Sequence, residues 1–120
     1  MCAATMQSYH MARTILLVNR PQESTVRRST LSERLHSYRT IESQVRYHSM
    51  EICGIALGRP PPTVRVHMVQ PLFVAGQCLT GEYERRIIIS QLRMIEEDLG
   101  WATEYRVQQL LKEWGWEGED

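Results

Sequence analysis

Cysteine is scarce and scattered in this chain: Cys2, Cys53 and Cys78 are odd in number and far apart. That argues against a disulfide framework and a Cys-x-x-Cys metal site, and fits a reducing interior. His10, His36, His48 and His67 form neither a His-x-x-x-His nor a His-Glu-x-x-His pair, so no zinc-type ligand set is written into the sequence. A Gly-rich phosphate loop and a Gly-x-Ser-x-Gly elbow are also missing. The longest strongly aliphatic runs, Ile15 to Val18 and Ile87 to Ile89, are far too short to cross a bilayer, and no secretory signal pattern is present. A soluble, intracellular protein with no membrane association is expected. Net charge is lacking too, because fourteen basic and fourteen acidic residues cancel. No overall positive field favours nucleic acid, and the arginines are too scattered to mark a base-reading helix, so direct nucleic-acid binding is not expected.

What is present is helical periodicity across 120 residues, enough for a single helical domain or domain fragment. Residues 1–81 carry nine Arg and four Glu, whereas residues 82–120 carry five Lys or Arg and ten Asp or Glu. Complementary charge between helices of one fold explains this asymmetry more simply than a partner surface does.

Taken in order, apolar positions recur at three- and four-residue spacing from residue 3 to Val18, which predicts a first helix ending near Asn19 before Pro21. Residues 20–30 read as a loop. Thr30-Leu31-Ser32-Glu33 matches a capping box and opens a second helix. Leu31, Leu35, Tyr38, Ile41, Val45, His48, Ile52 and Ile55 then repeat at near-heptad spacing. Leu31, Leu35, Tyr38, Val45 and Ile52 thereby form a candidate helix-pairing face, which leaves a homodimer open beside the simpler reading of a long helix packed within a domain. Gly54 and Gly58 would let another helix approach closely, and Gly58 would cap the helix end. Residues 59–63, with Pro60, Pro61 and Pro62, read as a stiff extended connector.

Pro71 predicts a kink, or a short helix followed by a second starting near it, with Phe73, the only Phe, at the centre of the core beside Leu72 and Val74. Thr80-Gly81-Glu82 starts a further helix, with Thr80 as N-cap and Ile88, Leu92, Ile95 and Leu99 as its buried stripe. Gly100 stops it and Trp101 is expected to pack into the corner. A last helix opens near Thr103 and presents Val107, Leu110, Leu111 and Trp114, before an acidic tail over residues 117–120 that should fray. About five helices and no convincing strand pair define an all-α fold, an antiparallel or orthogonal array read as an incomplete piece of a larger helical domain.

Groups able to do chemistry are few. Cys53 would be a nucleophile only with a histidine close in space, and a buried structural thiol is the commoner reading. His48 reads as a partly buried helix residue rather than a ligand. Glu96, Glu97 and Asp98 are adjacent and so point in three directions, which suits a solvated surface better than a shared proton. No enzyme is expected.

The order of Gln70-Pro71-Leu72-Phe73-Val74-Ala75-Gly76, Arg85-Arg86, Leu92-Arg93, Ile95-Glu96, Gly100 to Val107 and Leu111 to Trp116 resembles the C-terminal end of the fungal-specific transcription factor domain. That domain is the helical regulatory region of fungal regulators that bind DNA through a six-cysteine, two-zinc cluster. The likeness reaches back through Glu51 to Leu57. It implies transcription regulation in the nucleus, through protein contacts or effector-responsive helical packing. Carried over as structural positions are Pro71, Leu72, Phe73, Ala75, Gly76, Gly100, Trp101, Tyr105 and Trp114. The cysteine cluster has no counterpart here, so no cofactor is expected in this chain and zinc would belong to an N-terminal module outside it. Expected partners are other proteins or the missing remainder of a regulator. The alternative is a stand-alone interaction or dimerisation module with no role in transcription.

Overall fold

The computed structural model describes residues 3–19 and 30–116. Cys2, the expected loop over residues 20–29 and the expected tail over residues 117–120 lie outside them. Helix α1 runs Ala3–Val18 and α2 runs Leu31–Leu57. The start of α2 is set by the capping box: Thr30 Oγ1 accepts from the Glu33 amide at 3.1 Å, and the Glu33 carboxylate accepts from the Thr30 amide at 3.0 Å. At its end the Gly58 amide returns to the Gly54 and Ile55 carbonyls, and the left-handed residue is Arg59, at φ 51°.

The proline run departs from a connector over residues 59–63. Pro62 opens a one-turn helix, α3, Pro62–Arg65, because a proline at the first helical position lacks only an amide that would have no partner there. A 3₁₀ turn, Val66–Met68, leads into α4, Val69–Cys78, and puts Pro71 in the first turn of α4, where its missing amide and fixed φ are tolerated. Helix α5 spans Glu82–Leu99 with Gly81 rather than Thr80 as N-cap, and α6 spans Glu104–Trp114. Gly100 and Gly115, at φ 70° and 74°, take the left-handed conformation that ends each of these helices. The fold is all-α, with five helices of ten or more residues and no strand among the described residues.

The core lies where α2, α4, α5 and α6 meet. Ile52, Met68, Leu72, Leu79, Ile88, Leu92, Ile95, Val107 and Leu110 are essentially inaccessible there. Close helix approach occurs at Gly76 instead of at Gly54. A Cβ on Gly76 would lie 2.9 Å from Leu110 Cδ1, whereas one on Gly54 would meet nothing within 4 Å. The residue facing a neighbouring helix is Gly76, and Gly54 looks outward. Phe73 is buried, but the Arg106 guanidinium stands 4.4 Å from its ring centroid, so the ring sits at the margin of the core rather than at its centre.

Helix α1 packs antiparallel on α2. Gln7 donates to the Ile52 carbonyl at 3.0 Å and, one turn along, His10 meets His48 at 2.8 Å between Nδ1 atoms. The buried stripe of α1 is Gln7, His10, Thr14 and Leu17, while Tyr9, Ile15, Leu16 and Val18 are exposed. Two of the four ion pairs among the described residues, Arg46 with Glu84 and Arg65 with Asp98, join the positive half of the chain to the negative half.

Candidate functional site

The corner formed by α4, α5 and α6 gathers most of the residues singled out by sequence. Pro71, Leu72, Phe73, Ala75 and Gly76 are buried on α4. Trp114, half-buried at the end of α6, donates its indole N–H to the Gly76 carbonyl at 2.9 Å. The same indole lies edge-on to Trp116, with centroids 5.2 Å apart, and the Arg85 guanidinium stands 4.9 Å from the Trp114 centroid. Arg85 is itself anchored by donating to the Leu79 carbonyl at 3.0 Å. This cluster therefore ties the ends of α4 and α6 and the beginning of α5 together through cation–π contacts and two side-chain to backbone bonds.

The link between α5 and α6 is organised by Glu96. Its carboxylate accepts from the amides of Thr103 and Glu104, at 2.8 and 3.1 Å, and so caps α6 from another helix. Thr103, fully buried, turns its hydroxyl away from its own helix and donates to the Leu92 carbonyl at 2.6 Å. With Thr103 occupying the corner, Trp101 is turned outward and 54% exposed, which corrects its expected packing. Tyr105 is 59% exposed, two positions before Val107 and hence on the opposite side of α6 from the buried stripe. The three acidic neighbours separate: Glu96 caps, Asp98 pairs with Arg65 at 3.2 Å, and Glu97 borders a groove.

That groove has a volume of about 420 Å³ and is lined by Arg86, Ile89, Arg93, Met94, Leu111 and Trp116, among others. Arg86 is held by Glu82 at 2.8 Å and Arg93 by Glu104 at 3.2 Å. The hydrogen bond from Arg93 is the main reason the Glu104 carboxyl titrates below its ordinary value. The groove therefore sets Ile, Met, Leu and Trp side chains beside two guanidinium groups already engaged by carboxylates.

No cluster of three or more His, Cys, Asp or Glu side chains able to hold a metal forms among the described residues. Burial, aided by the Glu84 charge, pushes the Cys53 thiol up to about 12, so it stays protonated at neutral pH. His48 is buried beside His10. Its pKa is lowered, first by burial and then by the charges of His10 and Arg13, against the opposing influence of Glu51. No helix among the described residues is long and apolar enough to cross a membrane.

The candidate pairing face on α2 divides in two. Val45 and Ile52 are buried inside this chain, whereas every residue from 31 to 40 is exposed, including Leu31 at 73% and Leu35 at 44%. Sequence reasoning missed Glu96 as a cap and the polar seam of Gln7, His10 and Thr14. Both depend on partners 7 to 45 positions away, although the three- and four-residue spacing of Gln7, His10, Thr14 and Leu17 was there to be read.

Over 114 residues, 95% of the chain, the sequence is 48% identical to Transcription activator AMTR1 of Alternaria alternata. The chain spans about 15% of the length of that curated relative. No family model matches the chain. No solved structure matches it either. The chain is thus related in sequence to a fungal transcription activator across nearly its whole length.

Proposed function

We propose that this chain serves as a regulatory segment of a fungal transcription regulator, acting in the nucleus through protein contacts and helix packing rather than through catalysis. The observation that carries this reading is the 48% identity to a transcription activator across 95% of the chain. DNA binding in such a regulator is assigned to a zinc cluster outside the segment, in keeping with the fungal-specific transcription factor domain that the α4 to α6 corner resembles. The groove beside α5 and α6, at about 420 Å³, is within the size range of small-ligand sites and favours an effector-responsive form of the same role.

The test is to join the full chain to a heterologous DNA-binding domain and measure a reporter placed under that domain's site. The expected result is a reporter output that differs from that of the DNA-binding domain alone and returns to it when the core is disrupted by Leu92→Asp. Identical output from the fusion and the bare domain, with the fusion present in the nucleus at equal abundance, overturns the proposal. The alternative, a stand-alone pairing module, has only the outer part of its face available, since Val45 and Ile52 are already buried.

A further inference from the structure

We propose that Arg106 of α6 is the centre of a docking site for a carboxylate side chain on an acidic segment of a partner protein, a reading that rests on the protein contacts proposed above. Gln70 and Phe73 of α4 and Tyr105 and Gln109 of α6 complete the site. The Arg106 guanidinium lies 4.4 Å from the Phe73 ring centroid and 5.1 Å from that of Tyr105. Both distances are within cation–π range, so the two rings help to fix the guanidinium in place. Its Nη1 donates to Gln109 Oε1 at 3.4 Å and its Nη2 to Gln70 Oε1 at 3.3 Å. These bonds are long and end on neutral amides. The buried Nε has no hydrogen-bond partner at all.

Other arginines of the chain show what Arg106 lacks. Arg46, Arg65, Arg86 and Arg93 each meet a carboxylate, at 2.8 to 3.4 Å. Among the described residues no carboxylate pairs with Arg106. Glu113, seven positions further along α6, accepts from Gln77 at 3.3 Å instead. A guanidinium carries two N–H groups on each Nη, and the glutamines take one from each, so one N–H remains on either side of the fork. A carboxylate arriving end-on accepts both. Charge-assisted bonds of that kind are shorter and stronger than bonds to an amide.

The surroundings specify the occupant further. Gln70 and Gln109 are exposed, Arg106 is half-buried and Tyr105 is 59% exposed, so the site opens on solvent. Arg106 is the one cation among its five residues, which balances a carboxylate rather than the nearly double charge of a phosphate group. The exposed ring of Tyr105 asks for an apolar side chain beside that carboxylate, and tyrosine next to arginine is a pairing typical of protein contacts. A twofold pair of this chain would need a carboxylate on the same patch, because each surface then meets its own copy. The patch has none.

The experiment follows the fluorescence anisotropy of a labelled peptide, in which Asp and Glu alternate with Leu and Tyr, as the full chain is added. Saturable binding is expected, and the same peptide with Asn and Gln replacing Asp and Glu should bind about tenfold more weakly. Arg106→Lys should weaken the acidic peptide by about the same factor, because an ammonium keeps the charge but neither stacks nor pairs as a fork. Gln70→Glu gives Arg106 a carboxylate within the chain, so it should abolish binding and leave the urea midpoint unchanged or higher. That variant decides the matter if Arg106→Lys disturbs folding. Equal binding of the two peptides, no binding, or binding that Gln70→Glu leaves intact overturns the proposal. Displacement of the peptide by acetate at equal carboxylate concentration overturns it in favour of a small carboxylate. A dimer of the chain alone, seen by light scattering and dissolved by Gln70→Glu, overturns it in favour of a second copy. A reporter response of the fusion without peptide binding removes the site and leaves the proposed function standing.

Discussion

The α4–α5–α6 corner buries Leu72, Ile88, Leu92 and Leu110 completely, whereas the α1–α2 seam buries Gln7, His10, Thr14 and His48. In the corner most buried polar groups are matched, Arg106 Nε excepted: Thr103 reaches Leu92, Trp114 reaches Gly76, and Glu96 accepts two amides. In the seam, Gln7 Oε1 and Thr14 Oγ1 have no hydrogen-bond partner. An apolar contact is stabilising wherever shapes fit, but a buried polar contact depends on complete pairing, and an unmatched group costs about 1 to 3 kcal/mol. The corner is therefore expected to contribute more to stability than the α1–α2 seam.

The largest expected effect lies in the corner. Leu72→Ala removes a fully buried side chain and should lower stability by about 2 to 5 kcal/mol, read as a fall in the urea midpoint. A midpoint that barely moves would place the stability of the fold elsewhere. The contrast sharpens with two chemically identical substitutions. Thr103→Val removes the hydroxyl that donates to Leu92, whose carbonyl keeps its place in the α5 ladder, at a cost of about 0.5 to 1.5 kcal/mol. Thr14→Val removes a hydroxyl that has no partner, so its effect should be close to zero or stabilising. Equal losses in the two variants would break the distinction between corner and seam.

The seam should also respond to acid. The folded state holds the His48 pKa below its ordinary 6.5, so the unfolded chain takes up that proton first. The contribution is present in full above 6.5 and is lost as pH falls through the lowered folded value. Protonating both rings at Nδ1 would also turn the 2.8 Å contact between His10 and His48 into a repulsion. Urea midpoints measured above and well below 6.5 should fall on acidification, and His48→Gln should flatten that dependence. A slope unchanged in His48→Gln would mean that other groups set it. A small effect of opposite sign is expected at Arg59, where Arg59→Gly relieves a left-handed backbone and should stabilise the chain by about 0.5 to 1 kcal/mol.

Local signals were readable because they act within a turn or two of chain. The Thr30–Glu33 capping box, the Ile88, Leu92, Ile95 and Leu99 stripe, and the glycine stop at Gly100 all stand where sequence spacing placed them. The outward turn of Trp101 was not readable in the same way. Its sequence neighbourhood suits packing, but Thr103 competes for the corner with a hydroxyl aimed at a carbonyl eleven residues back. Likewise Glu96 appears in the sequence as one of three exposed carboxylates, and it becomes a helix cap only because α6 folds back beside α5.

By itself the sequence determined an all-helical chain, the ends of most of its helices, and which side of α5 and α6 is buried. Periodicity, capping and glycine φ preferences are properties of neighbours in the chain. Only the tertiary structure decided that α1 turns a polar stripe inward, that Gly76 rather than Gly54 takes a close contact, and that the apolar face of α2 is buried at Val45 and Ile52 but open at Leu31 and Leu35. Those outcomes depend on which helices reach which length of their neighbours, and a helix face looks the same in sequence whether or not something lies against it.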